Sequence, residues 1–186
     1  MRGILALAVL FWSSLAMAQP APSSAIVEGD GDQVFLQQTI VLDTDLASAW
    51  SLYTTSDGAS RWMAPRIEVD LRAGGSMRSH YDPSATIGDP GTVEVRIVNY
   101  VPRRLLTLQA DLSAVEADWL TPEVRAAQDQ LYNVIEFEAL GPDRTRITSW
   151  GIGYRDALGW EKMIAFFTRA NEWTLGQLAA AVTEDK

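Results

Sequence analysis

Apolar and polar residues alternate along most of this chain, and the places where the alternation breaks mark its elements. Val34 to Leu42 is rich in β-formers and reads as the first strand. Asp43 or Thr44 then stands at an N-cap position before Leu46, Ala49, Trp50 and Tyr53, whose spacing of three and four predicts a short amphipathic helix. Ser56-Asp57-Gly58 breaks that helix, a second short turn ends at Trp62, and Pro65 prevents helical continuation. Ile67, Val69 and Leu71 alternate with Glu68, Asp70 and Arg72, the pattern of a strand with one wet face. Gly74-Gly75 turns the chain into a strand over Ser76 to Tyr81. Val93, Val95 and Ile97 mark the next strand, and Leu105 to Ala110 the one after it. Leu131 to Ala139 and Thr145 to Ile152 form a last hairpin around Gly141-Pro142-Asp143. Asp156 opens a long helix to about Val182 with the apolar stripe Trp160, Ile164, Phe167, Thr174 or Leu175, Leu178 and Val182.

The predicted class is α+β: a strand, two short helices, five or six antiparallel strands, then one long helix. A single helix covers only one face of such a sheet, so the sheet should curl around it and leave its convex face wet. Asp111 to Asp129 interrupts the pattern with Trp119 and Leu120 among Glu116, Asp118, Glu123 and Asp129. A connection of that length is expected to serve as a lid or to fold locally as an insertion.

The ends and the composition narrow the picture. Residues 1–18 have the layout of a signal peptide: Arg2, an apolar run from Ile4 to Phe11, and the small-x-small site Ala16-Met17-Ala18. The run is shorter than the ~20 residues of a membrane span, so no stable membrane anchor is expected after cleavage. Residues 19–32 read as a flexible leader and 33–184 as one domain. The expected location is the periplasm, with secretion as the alternative. An exported chain with no Cys must be held together by its core alone. A net charge of −9 disfavours nucleic acid and anionic membranes as partners. Seven Trp, all but Trp12 downstream of the leader, suit either a core or an apolar pocket.

The order and spacing of several motifs resemble the START-like (SRPBCC, helix-grip, Bet v 1-like) superfamily. The nearest branch is the family named for its likeness to the activator of the Hsp90 ATPase. Its carriers here are Ala49-Trp50, Trp62 ahead of a Pro-started strand, DLRAGGSMRSHY at 70–81, Gly91-Thr92-Val93, Pro102 before Leu105, Thr145-Arg146-Ile147-Thr148, and the closing helix. The resemblance covers roughly Val34 to Val182. It implies a deep, largely apolar cavity between sheet and C-terminal helix, in a superfamily whose members bind lipids, sterols, polyketides or hormones and sometimes act as cyclases or dehydratases. An exported protein does not meet cytosolic Hsp90, so Hsp90 is not expected as a partner.

By that family pattern Met77, Ser79 and Tyr81 face inward as cavity-wall candidates, and His80, the one His, faces water. Trp62 and Met63 fall near the cavity mouth, and Trp150, Tyr154 and Trp160 near the strand–helix junction. Phe167 and Tyr132 are further wall candidates, and Trp119 a plug if the long connection is a lid. Ordinary core packing is the alternative for each. Asn171 is a polar residue on the apolar stripe, four positions after Phe167, and needs either a backbone partner or a ligand or water. One His and no Cys argue against a metal centre, the carboxylates of 111–129 lack a calcium-loop pattern, and no cofactor is implied. No nucleophile elbow or triad is present and no catalytic residue is assigned, Arg78 and Glu94 being expected on the wet face.

Three functions remain open from sequence. One is a container for a small apolar or amphipathic molecule. The second is a cyclase-, dehydratase- or hydrolase-type enzyme, which needs Tyr81, Ser79 and Asn171 to converge in one pocket. The third is an interaction protein whose aromatics fill their own cavity.

Overall fold

A computed structural model describes residues 21–113 and 115–183; the expected signal peptide lies outside the described residues. The strands are β1 (Ser23–Glu28), β2 (Gln33–Leu42), β3 (Arg66–Val69), β4 (Ser76–His80), β5 (Val93–Val101), β6 (Leu105–Ala110), β7 (Tyr132–Gly141) and β8 (Arg144–Arg155). The helices are α1 (Leu46–Thr54), α2 (Ser56–Ser60), α3 (Pro122–Ala126) and α4 (Glu161–Thr183), with a 3-10 turn over Gln128–Gln130. All eight strands join one antiparallel sheet in the order β1-β2-β8-β7-β6-β5-β4-β3. This is the α+β helix-grip architecture, with the 23-residue α4 lying in the concavity.

Alternation explains the sheet's two faces. In β2, Val34, Leu36, Gln38, Ile40 and Leu42 are buried and their neighbours half-buried. Ile40, Leu42, Ile97, Leu106, Ile135, Phe137 and Ile147 pack with Leu175, Leu178, Ala179 and Val182 of α4. The outer face carries cross-strand ion pairs, Arg78–Glu68 and Arg146–Glu138, each at 2.6 Å. Such exposed pairs contribute little to stability.

Several local expectations are corrected. β1 lies inside the stretch read as a flexible leader, so the sheet begins at Ser23 and not near Gln33. This strand is an edge strand with few buried side chains, and it therefore lacks a core-facing stripe for sequence to reveal. The N-cap of α1 is Asp45, one residue beyond the expected positions; its carboxylate accepts from Ala47 N–H at 2.7 Å and Ser48 N–H at 3.0 Å. α1 ends at Thr54, as the expected break requires, and Ser56-Asp57-Gly58 itself begins the second short helix, because Thr55 caps it through Gly58 N–H. Gly58 also permits α2 to lie against α1: a Cβ there would stand 2.3 Å from the Ser51 carbonyl oxygen. The last helix starts at Glu161, five residues later than expected. Arg61 reaches across to the carbonyl of Ala181, satisfying one of the final acceptors of α4.

Hydrogen bonds from the Ser48 hydroxyl and backbone hold the Asp45 carboxyl below its ordinary range. Asp45→Ala should cost about 1 kcal/mol in denaturant unfolding at pH 7. A depressed folded-state pKa means that this stability is present above the unfolded value near 3.8 and is lost as pH falls through the folded value. The difference between variant and parent should therefore narrow on acidification below about pH 4; a gap of the same size at all pH values would rule out a charged cap.

Candidate functional site

The trough between sheet and α4 is not filled. Apolar side chains gather in two clusters, one around Ile97, Leu106, Ile147 and Leu178, the other around Leu36, Leu120, Val124 and Trp160. Between them lies a cavity of about 290 Å³. Tyr53, Trp62, Leu108, Ile135 and Leu175 of the first cluster wall one side. Leu112, Leu131, Tyr154, Met163 and Phe167 of the second wall the other.

No Asp, Glu, Lys, Arg or His contributes to this wall. The polar groups that do are amides and hydroxyls. Ser149 Oγ donates to Asn133 Oδ1 at 2.9 Å. Asn171 Nδ2 donates to Gln38 Oε1 at 2.8 Å, and Gln38 Nε2 in turn donates to the Thr168 carbonyl at 3.1 Å and to Ser24 Oγ at 2.9 Å. Thr174 Oγ1 is engaged by the Ala170 carbonyl of its own helix. Tyr53 and Tyr154 are buried, and burial pushes both phenols well above their ordinary range, so both stay protonated at neutral pH. Neither hydroxyl has a hydrogen-bond partner among the described residues, yet no fully buried side-chain polar atom there is orphaned. Both hydroxyls are therefore open to the cavity that their rings line.

A β-bulge sets one of these tyrosines. β2 advances two residues from Val34 to Leu36 while β8 advances three, from Gly151 to Tyr154. The extra residue reverses which side chains face inward. Thr145, Ile147, Ser149 and Gly151 face α4 before it, and Tyr154 after it. Gly153 makes the bulge possible at φ +90°, with space for a Cβ taken by the Gln130 carbonyl at 2.2 Å.

Seven of the twelve residues expected at the site line the cavity: Trp62, Met63, Tyr81, Tyr132, Tyr154, Phe167 and Asn171. Tyr81 is 64 % exposed and sits on the rim. The other five are elsewhere. Met77 is buried in the first cluster, and Ser79 lies outside the wall. Trp150 faces outward and donates from Nε1 to Glu136 at 2.8 Å, because it precedes the bulge. Trp160 is buried in the second cluster, and Trp119 stacks on Phe166 with ring centroids 5.4 Å apart. The 111–129 connection folds locally and packs into the second cluster: α3 buries Val124, and Arg125 donates to the carbonyls of Leu112 and Val115.

His80 faces away from the cavity. Its Nδ1 accepts from Asp82 N–H at 3.0 Å and its Nε2 meets the Pro90 carbonyl at 3.2 Å. A ring with its proton on Nε2 satisfies both contacts and ties down the loop between β4 and β5. Arg78 and Glu94 border a shallow polar depression on the outer face. The trio Tyr81, Ser79 and Asn171 does not converge, since Ser79 is absent from the wall. Asn171 has a side-chain partner, Gln38, where a backbone group or ligand was expected. Gln38 itself was missed, although it is the one polar residue among the inward positions of β2 and the alternation makes it visible.

A family model described as "Activator of Hsp90 ATPase homolog 1-like protein" matches residues 43–182. Solved structures similar to this chain include CalU16 from Micromonospora echinospora, at 17% identity and TM-score 0.59 over 89% of this chain and 88% of that one. The Aha1 dimer from Colwellia psychrerythraea matches at 13% identity and TM-score 0.58, over 79% and 95% respectively. DynU16, from the dynemicin biosynthetic locus, matches at 13% identity and TM-score 0.60, over 82% of this chain and 48% of that one. No curated protein matches the sequence. At these identities the likeness is one of fold.

Gly153→Ala should destabilise the protein by at least about 2 kcal/mol in denaturant unfolding, since it combines a left-handed backbone with a clash. Gly176→Ala, mid-helix in α4 with nothing within 4 Å of the added methyl, should instead stabilise by roughly 0.5–1 kcal/mol. Equal effects at the two sites would refute the bulge's role.

Proposed function

The chain belongs to the activator of Hsp90 ATPase homolog 1-like family, and we propose that it is an exported container for one small, neutral, mainly apolar molecule. The observation that carries this is the wall of the cavity: apolar, free of charged side chains, and set with a few hydroxyls and amides. A charged ligand would lose its hydration there without gaining a counter-charge. An apolar one would bury its surface, and roughly 300 Å² of it is worth about 7 kcal/mol before the costs of association, which leaves room for micromolar binding. A cavity of about 290 Å³ has room for a two-ring compound. The nominated catalytic trio is not assembled, and binding is the function we assign.

Support for export comes from Arg2, the apolar run Ile4 to Phe11 and Ala16-Met17-Ala18, with the periplasm preferred to full secretion. Outside the cytosol the family's namesake partner is not at hand, and no Hsp90 role is assigned.

Isothermal titration of the protein with 1-methylnaphthalene should show one site per chain with micromolar affinity. Thr174→Phe, which projects a ring from α4 into the cavity, should weaken that binding at least tenfold at little cost to folding. Native mass spectrometry of protein taken from its own host, beside a denaturing run, should show a small mass that is lost on unfolding. Absence of any 1:1 binding, or binding indifferent to Thr174→Phe, would overturn the container.

A further inference from the structure

We propose that the cavity holds a dedicated hydrogen-bond acceptor, Asn171 Oδ1, and that its guest is therefore a neutral amphiphile bearing a hydroxyl or N–H donor on an apolar body. The inference rests on the container function and refines it. Its basis is a chain of amide orientations fixed from outside the cavity.

The Thr168 carbonyl is an acceptor only. Gln38, which is 1 % exposed, must therefore turn its Nε2 toward it. The same nitrogen serves Ser24 Oγ, so both amide protons of Gln38 are committed. Gln38 Oε1 is thereby pointed at Asn171, and Asn171 must answer with its own Nδ2. Asn171 cannot rotate its amide by half a turn without setting two carbonyl oxygens against each other and orphaning a buried acceptor. Its Oδ1 is left as the end with no partner among the described residues, on a side chain that lines the cavity.

An amide free to flip would accept from one guest and donate to another. An amide locked in this sense distinguishes them: an alcohol, phenol or amide N–H is matched, whereas a ligand offering only an acceptor at that point meets oxygen with oxygen. The tyrosine hydroxyls of Tyr53 and Tyr154 can donate as well as accept, so they tolerate either kind of group and do not impose this choice. Asn171 is the discriminating contact, and Gln38 is a positioning residue that acts through it.

The test compares 1-naphthol with 1-methylnaphthalene, which share one ring system and differ in a hydroxyl against a methyl. The quantity read is the ratio of their affinities by calorimetry, in the parent protein and in Asn171→Leu. The ratio should move at least tenfold toward 1-methylnaphthalene in the variant, while 1-methylnaphthalene itself keeps its affinity within about threefold. Gln38→Leu should move the ratio in the same direction by a smaller factor, an effect that mere loosening of the helix would not produce, since loosening weakens both probes alike. The double variant Gln38→Leu/Asn171→Leu removes both partners together and keeps the test open if either single variant folds poorly. A ratio unchanged in Asn171→Leu, with 1-methylnaphthalene still bound one to one, overturns the acceptor and leaves the container standing. Failure of both probes to bind the parent overturns the container itself.

Discussion

One helix about 10 Å wide lies in a sheet of eight strands, each spaced about 4.8 Å from the next, and the two widths do not match. Much else follows from that mismatch. Where α4 sits close to β2 the gap closes, and Leu175, Leu178, Ala179 and Val182 reach the sheet directly. Toward its N-terminus the helix is met from the other side by the 111–131 segment, which brings Leu120 and Val124 to Trp160 and Met163. Apolar surface is buried at both ends of the helix, and the space between the two clusters is left over. The cavity is thus a product of two cores that do not merge.

Polar groups facing such a space are constrained more tightly than groups on the surface. Each must find a partner or face the opening, because an unmade hydrogen bond in a buried site costs ~1–3 kcal/mol. Gln38 satisfies three contacts at once and ties β1, β2 and α4 to one another. Ser149 and Asn133 satisfy each other across β7 and β8. What is left on the lining residues is a short set: the tyrosine hydroxyls, the Asn133 amide nitrogen and the Asn171 amide oxygen. On the container reading, selectivity would arise from the pairing inside the protein, which decides which polar atoms remain for a guest.

Sequence reveals the parts of this design that repeat and hides the parts that occur once. Alternation placed β6 at its observed bounds, since a strand with one wet face writes its orientation into every second residue, and the family resemblance put Met77 inward. β1 was invisible because an edge strand with little burial writes no such pattern. Trp150 and Tyr154 have the same parity in the sequence and opposite faces in the sheet; one residue inserted at Gly153 separates them, and no period detects a single insertion. The packing of the insertion escaped notice for a related reason: the stretch holding Leu112, Leu120, Val124 and Leu131 is broken by turns and by Pro122, and these residues meet Leu36, Trp160 and Met163 only because the chain folds back. Asn171 was legible as a polar residue needing a partner, but the partner lies 133 positions away and could be named only from the fold.

On the container reading, the arrangement also bears on how a guest would reach the cavity. Opening the 111–131 side would expose Leu112, Leu120, Val124 and Leu131, each worth roughly 1.5–3 kcal/mol when buried, and would break the hydrogen bond of Thr121 to the Gly159 carbonyl. That amounts to most of the stability of an ordinary domain. Tyr81 lines the cavity with its ring largely in solvent. Moving an exposed ring costs no more than a rotamer change. On the container reading proposed above, entry past Tyr81 would leave both cores intact, which favours the local insertion over the lid, the two roles that sequence left open for the 111–129 connection.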